Sequence, residues 1–298
     1  MTDSDASGAF SMARRRRLRL VSALRSLLGR PVAATGTLIF LLFVVLALIG
    51  PLIVPYGLNQ EIVADARQPP SAQHWFGTDN LGRDVFSRVI LGVRDVLSLA
   101  GVGTLLAVAI GTSFGLIAGY QGKWLDEILL RFFDSLLALP ALLLALLLLG
   151  SLGPSPTSVM AVIVVVYTPI VTRVVRSVVL SVKSRGFVEA AQVQGESLAY
   201  ILFREIFPST LPTLAVEAAL RFSYAIFLVA SLGFLGVGVQ PPSANWGLMV
   251  QEAQTNVTQT PWALYFPAAA IAVVVIGVNL MADGLRQVLQ APPQITGR

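Results

Sequence analysis

Six stretches of the chain are apolar with little polar interruption: about 32–54, 97–120, 128–150, 159–175, 211–235 and 263–280. Each is close to the roughly 17–25 residues that cross the hydrocarbon core of a bilayer as a helix. Runs such as ALLLALLLLG (Ala141–Gly150) and VIVVVY (Val162–Tyr167) do not alternate apolar with polar, as the strands of a membrane barrel would. In lipid the backbone must satisfy its own N–H and C=O groups. The expected architecture is therefore all-α and polytopic, with six transmembrane helices. The first stretch follows a basic arm, as a secretory leader would. Its apolar run exceeds the roughly 7–15 residues of a leader, and no small-x-small site clearly follows, so it reads as a retained span.

Three segments between the spans have some size. Residues 55–96 begin as a loop containing Pro69 and Pro70. They end with Val85, Phe86, Val89, Ile90, Val93, Val96 and Leu97 at helical spacing, opposite Arg88 and Asp95. Residues 237–262 hold a turn at Gln240-Pro241-Pro242. The third segment, about 176–210, contains VEAAQVQGESLAYILFREIFP (Val188–Pro208), which is too mixed to cross a bilayer. Phe187, Ala190, Ala191 and Gln194 share one face of a short predicted helix, which Gly195 stops. Leu198, Ile201, Leu202 and Ile206 form the apolar face of a second helix, and Pro208 and Pro212 mark the return to the bilayer. The small Ala190-Ala191 pair beside Gly195 leaves room for another surface to approach. A hairpin lying on lipid headgroups fits the same pattern.

Charge sets the orientation. The chain has 298 residues, of which 12% are charged, and a mean hydropathy of +0.75. Soluble domains are about 25% charged, so lipid is the solvent for much of this one. Arg14–Arg17, Arg19, Arg25 and Arg30 crowd the N-terminus. A basic cluster directly before an apolar span reads as a cytoplasmic membrane anchor rather than a nucleic-acid site. With the N-terminus in the cytoplasm, 16 of the 21 Lys and Arg residues fall inside, Arg67, Arg83, Arg88 and Arg94 fall outside, and Arg221 lies within the fifth span. The resulting organisation is a basic cytoplasmic arm over 1–31, a six-helix domain over 32–285 and a cytoplasmic tail over 286–298. Segments 55–96 and 237–262 are then external, and 176–210 is cytoplasmic.

Catalytic chemistry finds little support. There is no cysteine and a single histidine, His74, which excludes thiolate and multi-histidine metal sites. Neither lysine, Lys123 or Lys183, sits in a GxxxxGK[ST] phosphate loop, and HExxH and GxSxG are absent. Charges within or beside spans are functional candidates by default. Arg131 and Asp134 are an i,i+3 pair at the cytoplasmic end of the third span. Glu217 and Arg221 are an i,i+4 pair inside the fifth. Their depth favours a water-lined or helix–helix face over lipid, as either a structural pair or a pathway lining. Asp283 and Arg286 close the sixth span among headgroups. Pro140 and Pro169 interrupt spans three and four, where each frees a carbonyl. Gly101, Gly103, Gly111, Gly115 and Gly119 suit close helix packing in span two.

The polar segment resembles the EAA loop of ABC-importer permeases, with Glu189-Ala190-Ala191, three residues, Gly195, and then Pro208. HWFGTDNLGRDVFSRVILGVR (His74–Arg94) is similar to the GTDxxGRDxxSR signature of C-type permeases of the dipeptide/oligopeptide/nickel family. RFFDSLLALP, SLGFLGVGVQPP and NLMADGLRQVLQAP fit the same family, over about 36–292. Val229 stands where many members carry a glutamate before the SLxFLG run. The resemblance implies a MetI-like permease fold and a bacterial inner-membrane location. It also implies a B-type permease partner, two ATP-binding subunits or one fused one, and an extracytoplasmic solute-binding protein. ATP and Mg would be bound by those ATPase subunits, with no cofactor in this chain. Glu189, Ala190, Ala191, Gly195 and Pro208 would form the ATPase-coupling loop. The implied cargo is di- or oligopeptides. Nickel or another small solute is an alternative cargo, and a self-sufficient carrier or channel is the alternative outside the family.

Overall fold

The structure, a computed structural model, describes residues 29–57 and 65–289. The basic residues from Arg14 to Arg25 and residues 290–298 lie outside them. Long helices dominate: α1 (Pro31–Ile53), α2 (Val85–Gln121), α5 (Pro156–Val182), α7 (Leu198–Phe234) and α9 (Pro261–Leu289) are each long and apolar enough to cross a membrane. Shorter helices complete the chain: α3 (Lys123–Leu137), α4 (Ala141–Leu152), α6 (Gly186–Val193) and α8 (Trp246–Ala253). No strand forms among the described residues beyond an isolated Thr78–Asp84 bridge.

The centre of the bundle is a parallel pair, α2 and α5, held at close range by glycine. Gly103, Gly111, Gly115 and Gly119 meet Ile163, Val171, Val175 and Val179 in the same order along both helices. A Cβ added at Gly115 would lie 2.7 Å from Val175 Cβ and 2.8 Å from the Thr172 carbonyl oxygen. The glycine stripe therefore sets the interhelical distance, as the packing reading of the sequence predicts. Gly101 is different, since among the described residues only Phe222 comes near its added Cβ, at 3.6 Å. We expect Gly115→Leu to cost about 1–3 kcal/mol through overpacking, and Gly101→Leu much less. Thermal unfolding of the two variants in detergent checks the order. α7 and α8 close the core on one side, with Trp246 fully buried and its indole N–H donating to the Val89 carbonyl at 2.9 Å. α1 packs on α9 and turns Leu38, Leu42, Leu48 and Leu52 outward, as a lipid-facing helix should.

Three features of the chain differ from the sequence reading. First, the amphipathic segment over 85–97 and the second span are one helix, α2, because no proline or capping glycine intervenes. Asp84 starts it by accepting from the Ser87 N–H at 2.8 Å. Second, the third span is bent by 89° between α3 and α4. Pro140 has no N–H and disfavours helical geometry at Leu139 before it, so the helix breaks there. Asp126 pairs with Arg176, and Asp134 pairs with Arg173. Both α3 and α4 thus contact α5, α3 through these two ion pairs. The expected Arg131–Asp134 pair does not form; Arg131 binds Glu127 at 2.6 Å instead. Third, Pro208 and Pro212 do not separate the second helix of the polar segment from the fifth span. α7 runs through Pro208 and Pro212 from Leu198, with a π-helical turn over Ile201–Ile206. Phe207 N–H reaches back to the Leu202 carbonyl, a wider ring that fits the missing N–H of Pro208.

Candidate functional site

At one end of the bundle α6 and the start of α7 form a hairpin over the ends of α2 and α5. Its underside is apolar. Val188, Ala191, Ile201, Leu202 and Ile206 are buried in one cluster with Leu116, Val175, Val179 and Val182. Two polar ties add to this: Gln192 Nε2 donates to Tyr120 Oη at 3.0 Å, and Lys183 Nζ donates to the Gly119 carbonyl at 3.3 Å. The predicted face of α6 is corrected by this packing. Val188 and Ala191 point in and pack on the valines of α5, while Phe187, Ala190 and Gln194 point out. Leu198 is likewise exposed rather than part of the buried face.

Gly195 ends α6 as the spacing predicts. Its φ is +75°, and the turn is a Schellman motif. Glu196 N–H donates to the Ala191 carbonyl at 3.1 Å, and Gly195 N–H donates to that of Gln192 at 3.0 Å. Ser197 then caps α7 by accepting from Tyr200 N–H. Above this base Glu189, Ala190 and Gly195 are exposed, and among the described residues no atom beyond its chain neighbours lies within 4 Å of a Cβ added at Gly195. Val193 is 88% exposed and Phe203 63%. The hairpin is thus fixed at its base and presents a small-residue surface with apolar edges. Pro208 lies beyond this surface, in the wall of α7.

Glu217 and Arg221 form the expected pair on α7, with Arg221 Nε 2.8 Å from Glu217 Oε1. The contact is too bent to count as a hydrogen bond. Arg221 lies midway between Pro208 and Phe234, about 20 Å along the helix from each. It opens on a cavity of about 580 Å³ in the elbow between α3 and α4, beside Tyr167 and Tyr224. Val229, by contrast, faces the core and is buried.

The opposite end holds a network that the sequence reading missed. Asp79 Oδ2 receives Arg83 Nε at 2.6 Å and Arg88 Nη1 at 2.9 Å. Glu252 Oε2 receives Arg83 Nη2 at 2.6 Å and Arg88 Nη1 at 3.0 Å. Burial opposes the charge on Arg83, but Asp79 and Glu252 outweigh it and hold the guanidinium above its ordinary range. His74 Nδ1 lies 2.9 Å from Asp84 Oδ1 and stacks on Tyr56. Trp262 Nε1 donates to the Thr78 carbonyl at 2.8 Å. The arrangement clamps the segment before α2 onto α8 and α9. Arg88 is therefore buried, not on a solvent face. The density of charge in GTDNLGRDVFSR was a visible signal, but nothing local marks Glu252 as the shared partner. Among the described residues no group of three or more His, Cys, Asp or Glu side chains could hold a metal ion.

Residues 111–291 match the family described as binding-protein-dependent transport system inner membrane component. Residues 19–70 match the N-terminal TM domain of oligopeptide transport permease C. The chain is 39% identical to the dipeptide transport system permease protein DppC of Alkalihalophilus pseudofirmus, over 90% of this chain and 88% of that one. It is 36% identical to the glutathione transport system permease protein GsiD of Pectobacterium atrosepticum, over 89% and 88% of the two chains. Identity is also 36% to the probable D,D-dipeptide transport system permease protein DdpC of Escherichia coli K12, over 88% of each.

Proposed function

Since the chain belongs to the family of binding-protein-dependent transport system inner membrane components, the membrane permeases of ABC importers, we propose that it forms half of an ATP-driven translocation pathway for short peptides. The observation that carries this reading is the hairpin. Glu189, Ala190 and Gly195 are exposed on a turn whose base is packed onto α2 and α5. A partner bound there would push on two membrane-crossing helices rather than on a loose loop. The occupant would be an ATP-binding subunit, which supplies the phosphate loop that this sequence lacks and binds ATP and Mg. A rigid hairpin lets ATP-driven closure of that subunit bias two arrangements of the bundle, as differential affinity for the two states requires.

The orientation follows from the lysines and arginines, with the hairpin and both termini cytoplasmic. The Asp79–Arg88 end would then face the solute-binding protein, and a B-type permease would complete the path. Peptide cargo is supported by the relatives, whose names cover a dipeptide, a D,D-dipeptide and glutathione. The test is purification of the tagged chain from native membranes in mild detergent. We expect a second polytopic permease and phosphate-loop ATPases to come with it, and peptide-loaded binding protein to stimulate ATP hydrolysis. Recovery of the chain alone, under conditions that preserve other complexes, would favour a self-sufficient carrier.

A further inference from the structure

Arg221 is a cation placed at the middle of a membrane-crossing helix, where charge is expensive and marks function by default. Glu217 offsets part of that cost through one contact at Nε. Beyond it, no acceptor among the described residues reaches the guanidinium. Two aromatic rings lie beside it instead. The Arg221 Cζ is 4.8 Å from the Tyr224 ring centre and 5.8 Å from that of Tyr167. These cation–π contacts restrain the guanidinium, and its terminal N–H groups have no carboxylate partner among the described residues. Arg221 borders the elbow cavity, whose remaining lining is mostly leucine, valine and phenylalanine. The break at Pro140 adds a second feature. α4 begins on this cavity with no side-chain cap, so the positive end of a short helix opens on the same space. A planar two-toothed donor in an apolar cavity recognises a carboxylate.

We propose that Arg221, framed by Tyr167 and Tyr224, is a transit contact for the carboxylate of the transported peptide at the mid-membrane elbow. The inference rests on the peptide-permease reading. It assigns Arg221 to the cargo rather than to the helix pair, with Glu217 holding the guanidinium while the site is empty. The cavity volume of about 580 Å³ is ample for the end of a short peptide. The mostly apolar walls lower the local dielectric and strengthen the charge contact.

The test uses the full transporter in liposomes, with a dipeptide and its C-terminal amide as cargo. Arg221→Gln should lower uptake of the free acid about tenfold, the loss expected for a charge-assisted contact, and uptake of the amide less than twofold. Each value is taken relative to unmodified protein, which cancels the preference of the binding protein. A direct readout covers the case in which the amide is not delivered. The chain has no cysteine, so Ser231→Cys on the cavity wall is a single reporter in this subunit. Millimolar free-acid dipeptide, added without binding protein, should slow thiol labelling several-fold. The amide should not, and Arg221→Gln should abolish the protection. Equal protection by acid and amide, or protection that survives Arg221→Gln, would overturn the proposal. So would equal loss of both cargoes together with loss of the second permease, since Arg221 would then pair with a carboxylate of that partner. Absence of any peptide uptake by the unmodified complex would instead sink the peptide reading itself.

Discussion

Replacing Gly195 with tryptophan is expected to leave the chain inserted at normal levels and to abolish ATP-coupled uptake. No described atom lies within 4 Å of the added Cβ, so the indole projects outward and does not disturb the core. It would occupy the space above Glu189 and Ala190 that the proposed ATPase contact needs. Blocking the centre of such an interface costs at least about 2 kcal/mol, or about thirtyfold in affinity. One complication is the backbone. Gly195 has φ +75°, a region that costs ordinary L-residues about 1–2 kcal/mol. Asparagine tolerates that region and is small, so Gly195→Asn should keep the Schellman turn and most of the uptake. The contrast separates the two causes. If both variants lose uptake equally, strain at the turn is responsible. Normal uptake by Gly195→Trp, with the ATPases still attached, would remove the hairpin from the coupling path.

The same hairpin shows what the sequence makes legible. Its end was readable because the left-handed turn needs glycine, and Gly195 stands where apolar periodicity stops. The six apolar stretches were readable because lipid demands long unbroken runs. What could not be read was continuity. A proline inside an apolar run looks the same whether the helix absorbs it, as α7 absorbs Pro208 through a π turn, or breaks, as the third span does at Pro140. The difference lies in neighbours. Ile206 and Leu214 are buried on either side of Pro208 and hold the helix in line, whereas Leu139 before Pro140 is exposed and nothing opposes the bend. The facing of α6 was misread for a similar reason. Eight residues offer two apolar faces, and how the chain folds back onto the valines of α5 decides between them. Glu217, Arg221 and Tyr224 share one helix at local spacing, but Tyr167 comes from α5 and the elbow that completes the surroundings of Arg221 comes from α3 and α4.

The second large effect is expected at Asp79, at the far end of the molecule from the hairpin. Its Oδ2 takes both Arg83 and Arg88, while its Oδ1 accepts the backbone N–H groups of Leu81 and Arg83 at 2.9 Å each. Asp79→Asn keeps the shape but leaves two guanidiniums with Glu252 as their remaining carboxylate. The Glu252 side chain is 20% exposed and that of Asp79 only 7%. Removing the more buried member of such a network costs about 3–5 kcal/mol, because charge stays buried without its partner. For a chain of this size that is a fall in melting temperature on the order of 10 °C. Glu252→Gln should cost less, since water already reaches that carboxylate. Arg88→Met added to Asp79→Asn should recover part of the loss by removing one of the stranded charges. Thermal unfolding of the four proteins in one detergent tests this order. If Asp79→Asn melts with the unmodified protein, the ionic cluster does not hold the segment before α2. The clamp onto α8 and α9 would then rest on Trp262, Trp246 and the surrounding apolar contacts.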